Sequence, residues 1–168
     1  DAMGSFDVNS GLRYQRNNSL PEPPSFDKYK EQLPEILKKL NGVSKIAVCT
    51  IPPLGENKYS PANKHVEKFN NFIKLTCRKH NVDLLPVSES LWMDIASRTY
   101  SLNSDYNPKG IQIMRRIFGG IFHHYIFKKS WNQIAKSKGQ WILFDQIHLN
   151  ERGANIVFNI VKNYISRG

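Results

Sequence analysis

The spacing of apolar positions divides the chain into recognisable elements. Residues 7–25 have no hydrophobic period, and RNNSLPEPPS within them is rich in turn formers, so a loop is expected. Tyr29, Leu33, Ile36, Leu37 and Leu40 then recur at helical spacing. Pro34 is expected to kink that helix or mark its effective start, and Asn41-Gly42 to end it. Residues 45–51, KIAVCTI, form a nearly unbroken apolar run, the pattern of a strand covered on both faces in a parallel sheet. Pro52-Pro53 stops it. Ser60-Pro61 opens the next helix, with Ser as N-cap and Pro at the first helical position. Ala62, Val66, Phe69, Ile73 and Cys77 make its buried face. Residues 82–87 read as a second strand, which completes a βαβ unit expected to be right-handed.

The second half is less regular. LWMDIAS, residues 91–97, suits a short helix, and SLNSDYNPKG, residues 101–110, suits a loop. Residues 111–136 have a helical pattern that Gly119-Gly120 is expected to interrupt. WILF, residues 141–144, fits a short strand or an extended run. In the last helix Asn150 is the N-cap, and Ile156/Val157, Ile160/Val161 and Tyr164/Ile165 repeat four apart. Two parallel strands, three at most, are few for a sheet that needs both faces covered. Residues 26–168 are therefore expected to be the C-terminal part of one larger α/β domain. A loop at 6–25 precedes it, and DAMGS, residues 1–5, reads like a vector remnant.

The chain has 168 residues, 40% of them apolar, enough for the core of one domain. No apolar run is long enough to span a bilayer. The net charge of +10 attracts phosphates, nucleic acid or anionic lipid without choosing among them. Cys49 and Cys77 are expected to be buried free thiols rather than a disulfide. Adjacent His123 and His124 point to different sides of a helix and have no partner four residues on, so no zinc site is expected. No phosphate-binding glycine loop is present and no cofactor is expected. Asn17-Asn18-Ser19 is a single sequon in a loop, and the compartment is left open.

The chemistry-bearing stretch is FDQIHLNERGANIVFNI, residues 144–160. It sets Asp145 three residues before His148, after an apolar run and ahead of the last helix. A neutral imidazole accepts a hydroxyl proton, and an acid bonded to its other nitrogen fixes the tautomer. A tight loop entering a helix aims both side chains at one point. The carboxyl ends of strands in open α/β sheets are where ligands bind. The same residues also fit a structural account, with Asp145 capping a turn and His148 satisfied in a core.

FDQIHLNERGANIV resembles the last motif block of the SGNH (GDSL) hydrolases, in which Asp-x-x-His supplies two members of a Ser-His-Asp triad. KIAVCTIPPLGE is similar to that family's penultimate region, and the helix from Pro61, carrying Asn70 and Asn71, and VDLLPV follow in the same order. The resemblance covers about residues 26–165. It implies a three-layer α/β/α, flavodoxin-like parallel sheet, of which this chain supplies the C-terminal strands and helices. It also implies esterase, lipase or acetyl-hydrolase chemistry on ester substrates, with His148 as base and Asp145 as its orienting acid. The family's Gly-Asp-Ser block is absent, as is a clear glycine block for the oxyanion hole. Asp7 is a candidate for the last residue of the Gly-x-Asn-Asp block. Phe6 stands where that block has Asn, and the match is accidental if Gly4 and Ser5 are vector-derived. Neither Ser5 nor Ser10 lies in a nucleophile motif.

Two functions follow from these readings. One is a serine ester hydrolase whose nucleophile comes from outside this chain, on an N-terminal segment of the same protein or on a second copy that completes the sheet. The other is a non-catalytic domain of the same type that binds RNA or another anionic partner through its basic surface. The aromatic and basic segment 113–131 fits a core helix pair with a basic outer face, a lid over the site, or a membrane-surface or nucleic-acid patch.

Overall fold

The computed structural model describes residues 15–19, 21, 23–100, 106 and 110–167. The expectations for residues 1–5, for Phe6, Asp7 and Ser10, and for most of the loop at 101–110 lie outside the described residues. In the 6–25 segment a helical turn forms at residues 15–17, and the Gln15 side chain donates to the Pro21 carbonyl at 3.0 Å. The chain forms two compact units, residues 1–51 with 65–85, and residues 52–64 with 86–168. The fold is α/β.

In the first unit, helix α1 (Phe26–Leu40) starts at the Ser25 N-cap, whose hydroxyl accepts from the Lys28 N–H. Pro34 lies within the helix and does not set its start. Gly42 has φ +86°, the left-handed conformation that costs glycine least, and the chain leaves the helix there. Of the anticipated apolar face only Leu37 is fully buried, while Ile36 and Leu40 are exposed. Strands β1 (Ala47–Cys49) and β2 (Asp83–Leu85) pair in parallel, with Ala47 opposite Asp83 and Cys49 opposite Leu85. Between them runs helix α2 (Pro61–His80), with the Ser60 hydroxyl accepting from the Asn63 N–H at 3.2 Å.

Phe26 and Tyr29 of α1 pack edge-on or tilted against Phe69 of α2, with ring centroids 4.9 and 5.0 Å apart. Phe69 is wholly buried, and an aromatic side chain in that position contributes roughly 1.5–3 kcal/mol through burial. The face anticipated for α2, Ala62, Val66, Phe69, Ile73 and Cys77, is buried throughout.

The β1 strand differs from its sequence reading. Its Ala47 and Val48 are half-buried and Cys49 is exposed. Cys77 alone is the buried thiol, and both cysteines are free. An apolar run indicates what a strand can cover, not what covers it. Among the described residues β1 pairs with β2 alone.

The second unit is mostly helical, with α3 (Val87–Ala96), α4 (Gly110–Tyr125), α5 (Trp131–Ser137) and α6 (Glu151–Ile165). Val87, Leu91 and Ile95 of α3 form its core with Ile142 and Leu143, and Ile156, Val157 and Ile160 of α6 pack against them. Helix α4 runs straight through Gly119-Gly120. The cost of glycine in a helix interior is about 1 kcal/mol each, and Gly120 has a packing reason. A Cβ there would lie 3.1 Å from the Phe144 ring and 3.6 Å from Trp131. The break falls after Tyr125 instead, with Lys128 at φ 54° and a capping box between Ser130 and Gln133. WILF is not a strand of the sheet. It makes one isolated antiparallel bridge, Leu143 with Leu149.

Candidate active site

Asp145 and His148 sit on a turn that the chain closes upon itself. The Phe144 N–H donates to the His148 carbonyl at 3.0 Å, and the Asn150 N–H donates to the Ile142 carbonyl at 2.8 Å. Gln146 has φ 81°, an uncommon conformation for a non-glycine residue. Interactions from the rest of this unit hold it there: its carbonyl accepts from the Gly55 N–H at 2.8 Å, and its side-chain oxygen accepts from Arg116.

The pair itself is closely coupled. Asp145 Oδ1 accepts from the Ile147 N–H at 3.0 Å and from the His148 N–H at 2.7 Å. Asp145 Oδ2 lies 2.6 Å from His148 Nδ1. An ionised carboxylate only accepts, so the hydrogen belongs on Nδ1, and in the neutral imidazole the lone pair is on Nε2. The carboxylate side chain is 0% exposed and the imidazole 55% exposed. A buried carboxylate is thus hydrogen-bonded to an accessible imidazole. The Phe144 ring lies nearly parallel to the imidazole, with centroids 5.7 Å apart, and limits its tilt.

Glu56 anchors the run before this turn. Its Oε2 accepts from the Trp141 N–H at 2.7 Å, and its Oε1 accepts from Ile142 at 2.7 Å and Leu143 at 2.8 Å. Three backbone donors that would otherwise have been met in a sheet are satisfied by one side chain. Burial pushes the Glu56 carboxyl above its ordinary range, against the opposing pull of those three N–H groups and of the Arg98 charge. Asn63 fixes the loop that carries Glu56. Its Oδ1 accepts from the Leu54 N–H at 2.9 Å, and its Nδ2 donates to the Leu54 and Asn57 carbonyls at 2.9 and 2.8 Å.

Lys138 donates to the carbonyls of Phe144 at 3.1 Å and Arg116 at 3.2 Å. Burial lowers its pKa, while the nearby Asp145 charge acts to raise it. The Gln140 amide, oriented as its neighbours require, donates to Phe144 O at 3.0 Å and accepts from the Gln146 N–H at 2.8 Å.

At the far end of the turn the Asn150 side chain caps α6 through the Gly153 N–H at 3.0 Å and donates to the Trp141 carbonyl at 2.9 Å. Gly153 admits no side chain, because a Cβ would come 2.8 Å from Ile142 O. Asp94 Oδ2 accepts from Trp141 Nε1 at 2.8 Å and from Arg152 Nε at 2.7 Å, and the Arg152 guanidinium lies 4.2 Å from the centre of the Trp141 ring.

Sequence reading singled out Asp145 and His148, and the structure brings them together. It did not single out Glu56, Asn63, Lys138 or Gln146. The roles of Glu56 and Lys138 depend on partners far along the chain, which spacing does not show. His123 and His124 are not joined by other ligands, and no cluster of three metal-ligating side chains occurs among the described residues.

A parallel strand–helix–strand unit marks an α/β protein, and ahead of its last helix a buried acid is bonded to an accessible imidazole. The family model for GDSL-like lipase/acylhydrolases matches residues 3–161, and the chain belongs to that family, whose members are hydrolases of the SGNH type. No curated protein and no solved structure matches it.

Proposed function

We propose that the protein is a serine ester hydrolase in which His148 is the general base and Asp145 the acid that orients it. The observation that carries this reading is the 2.6 Å contact between Nδ1 and a fully buried carboxylate, which leaves Nε2 as the open acceptor. Among the described residues no hydroxyl hydrogen-bonds the imidazole. The sequence carries no Gly-Asp-Ser block, and on that ground the nucleophilic serine is assigned to an N-terminal segment of the same protein or to a second copy.

In that assembly Nε2 takes the serine proton as Oγ attacks the ester carbonyl, and Asp145 stabilises the imidazolium formed. The proton then passes to the departing alkoxide, which leaves as the alcohol. Water, deprotonated by the same nitrogen, releases the acid and restores the serine.

The test uses the parent protein and a short-chain aryl ester. His148→Ala is expected to abolish turnover with an unchanged circular dichroism spectrum. Asp145→Asn is expected to lower kcat by up to about 10⁴-fold, because Nδ1 then no longer has its fixed acceptor. Hydrolysis by His148→Ala at the parent rate would remove the assignment. A non-catalytic domain that holds RNA or another anionic partner is the second reading, favoured by the net charge of +10. It would be preferred if the parent protein bound RNA and hydrolysed no ester.

A further inference from the structure

Helix α4 is inverted relative to an ordinary surface helix. Ile111, Met114, Phe118, Ile121, Phe122 and Tyr125 are all exposed, from 40% for Ile121 to 76% for Ile111. At 100° per residue these six fall within an arc of about 100°, the width of a stripe that normally faces a core. The opposite side is the one packed on the protein. Gly120 lies against Phe144 and Trp131, Arg116 donates to Gln146, and the Arg116 carbonyl accepts from Lys138. These contacts hold the apolar stripe outward. Ile126 and Phe127, directly after the helix, are exposed as well.

The charges around this stripe indicate its occupant. From Tyr106 to Phe144 the sequence contains no Asp or Glu, while Lys109, Arg115, Arg116, Lys128, Lys129, Lys136 and Lys138 are basic. Arg115, Lys128, Lys129 and Lys136 are exposed. On the helical projection Arg115 falls at the margin of the apolar arc. Aromatic and aliphatic side chains flanked by cations, in a segment with no acid of its own and with the neighbouring Glu151 carboxylate engaged by the Trp131 and Asn132 N–H groups, complement a layer with acyl chains below and negative headgroups above. A protein partner of matching shape would need an apolar groove ringed by acids, a narrower requirement. No helix among the described residues is long and apolar enough to cross a membrane, so α4 would lie on a bilayer rather than span it.

We propose that the outward face of α4, with Ile126 and Phe127, docks on an anionic lipid bilayer, the helix lying in the headgroup plane. The docked face is on the same helix whose inner side, through Gly120 and Phe144, abuts the His148 turn. Binding stands apart from the catalytic reading, since it needs neither His148 nor a nucleophile.

The test is cosedimentation of the intact protein with vesicles of phosphatidylcholine alone or mixed with phosphatidylserine. Binding to the mixed vesicles is expected to be stronger by about ten-fold or more and to weaken as salt is raised. F118S/F122S is expected to lose about ten-fold in binding with no fall in melting temperature, since both rings are exposed. R115E/K128E/K129E is expected to lose the preference for phosphatidylserine. Absence of binding by the parent protein, or equal binding by F118S/F122S, overturns the proposal. So does a change from dimer to monomer in F118S/F122S without a change in vesicle binding, which would make the face a self-association surface. Should F118S/F122S fail to fold, an environment-sensitive fluorophore on M114C in a C49S background decides the matter. Its emission is expected to shift to the blue on mixed vesicles, and no shift overturns the proposal.

Discussion

Glu56 carries more of the site's geometry than any residue in the candidate pair. Its carboxylate meets three successive N–H groups, and removing it leaves those of Ile142 and Leu143 buried, and that of Trp141 part-buried, without a partner, at about 1–3 kcal/mol for each buried group. Glu56→Ala is therefore expected to destabilise the protein by about 3 kcal/mol, read from urea denaturation. The same residue imposes a pH dependence. Because burial raises its folded pKa above the ordinary 4.5, the folded state binds the proton more tightly than the unfolded chain. The stability it contributes is fully present below 4.5 and is lost as pH rises through the raised value. Relative to Glu56→Gln, the unfolding free energy of the parent chain is expected to fall as pH rises above about 4.5. A parent-minus-variant difference that rises over that range would contradict the account.

At Gly120 the limit is steric. A Cβ already meets the Phe144 ring at 3.1 Å, so the branched side chain of Gly120→Val must displace the ring that stacks on His148. The expected cost is about 1–3 kcal/mol, together with lower ester turnover under the proposed mechanism. Unchanged melting and unchanged turnover would show that the ring moves freely.

At the scale of elements, α6 and α1 give opposite expectations. Asn150 both caps α6 and holds the Trp141 carbonyl, so Asn150→Ala is expected to cost about 1–2 kcal/mol in thermal unfolding. Pro34 lies inside α1, where it supplies no N–H to the helix. Pro34→Ala is expected to raise stability, by up to about 3 kcal/mol. A lower melting temperature for Pro34→Ala would mean that its ring packs in a way that offsets the missing hydrogen bond.

At the scale of the whole molecule, the two-stranded sheet has unpaired strand edges among its described residues, and such edges favour pairing with a further strand. Under the proposed function the 168-residue chain alone is expected to show no esterase turnover, and turnover is expected to appear when a serine-bearing segment or partner is supplied. A monomer of this chain that hydrolyses esters, with one of its own serines beside His148, would overturn the proposal of an external nucleophile. The cysteines report on the fold at the same scale. A thiol reagent is expected to modify exposed Cys49 and spare buried Cys77 until the chain unfolds. Desolvation raises both thiols above their ordinary range, so modification of Cys49 should quicken as pH increases.

Much of this protein was legible from local pattern, because periodicity and caps act over a few residues. The buried face of α2, the Ser60 and Asn150 caps, the strand at Ala47–Cys49 and the three-residue spacing of Asp145 and His148 all follow from nearby sequence. The spacing let the turn bring acid and imidazole to 2.6 Å, whatever lay beyond it. Other features depended on residues far away in the chain. WILF has the apolar content of a strand, yet Glu56, 85 or more residues earlier, takes the N–H groups a sheet would have used. Gly119-Gly120 reads locally as a break, yet the space glycine leaves is filled by Phe144, and α4 continues. Cys49 belongs to an apolar run, but its exposure depends on what packs over β1. The apolar stripe of α4 is plain in the sequence, whereas its outward direction is set by contacts on the opposite side of the helix. Local pattern determined the buried face of α2, the caps and where Asp145 and His148 stand together. Burial, the source of buried acceptors and the direction each apolar face points were decided by the tertiary structure, because each depends on partners that sequence spacing does not encode.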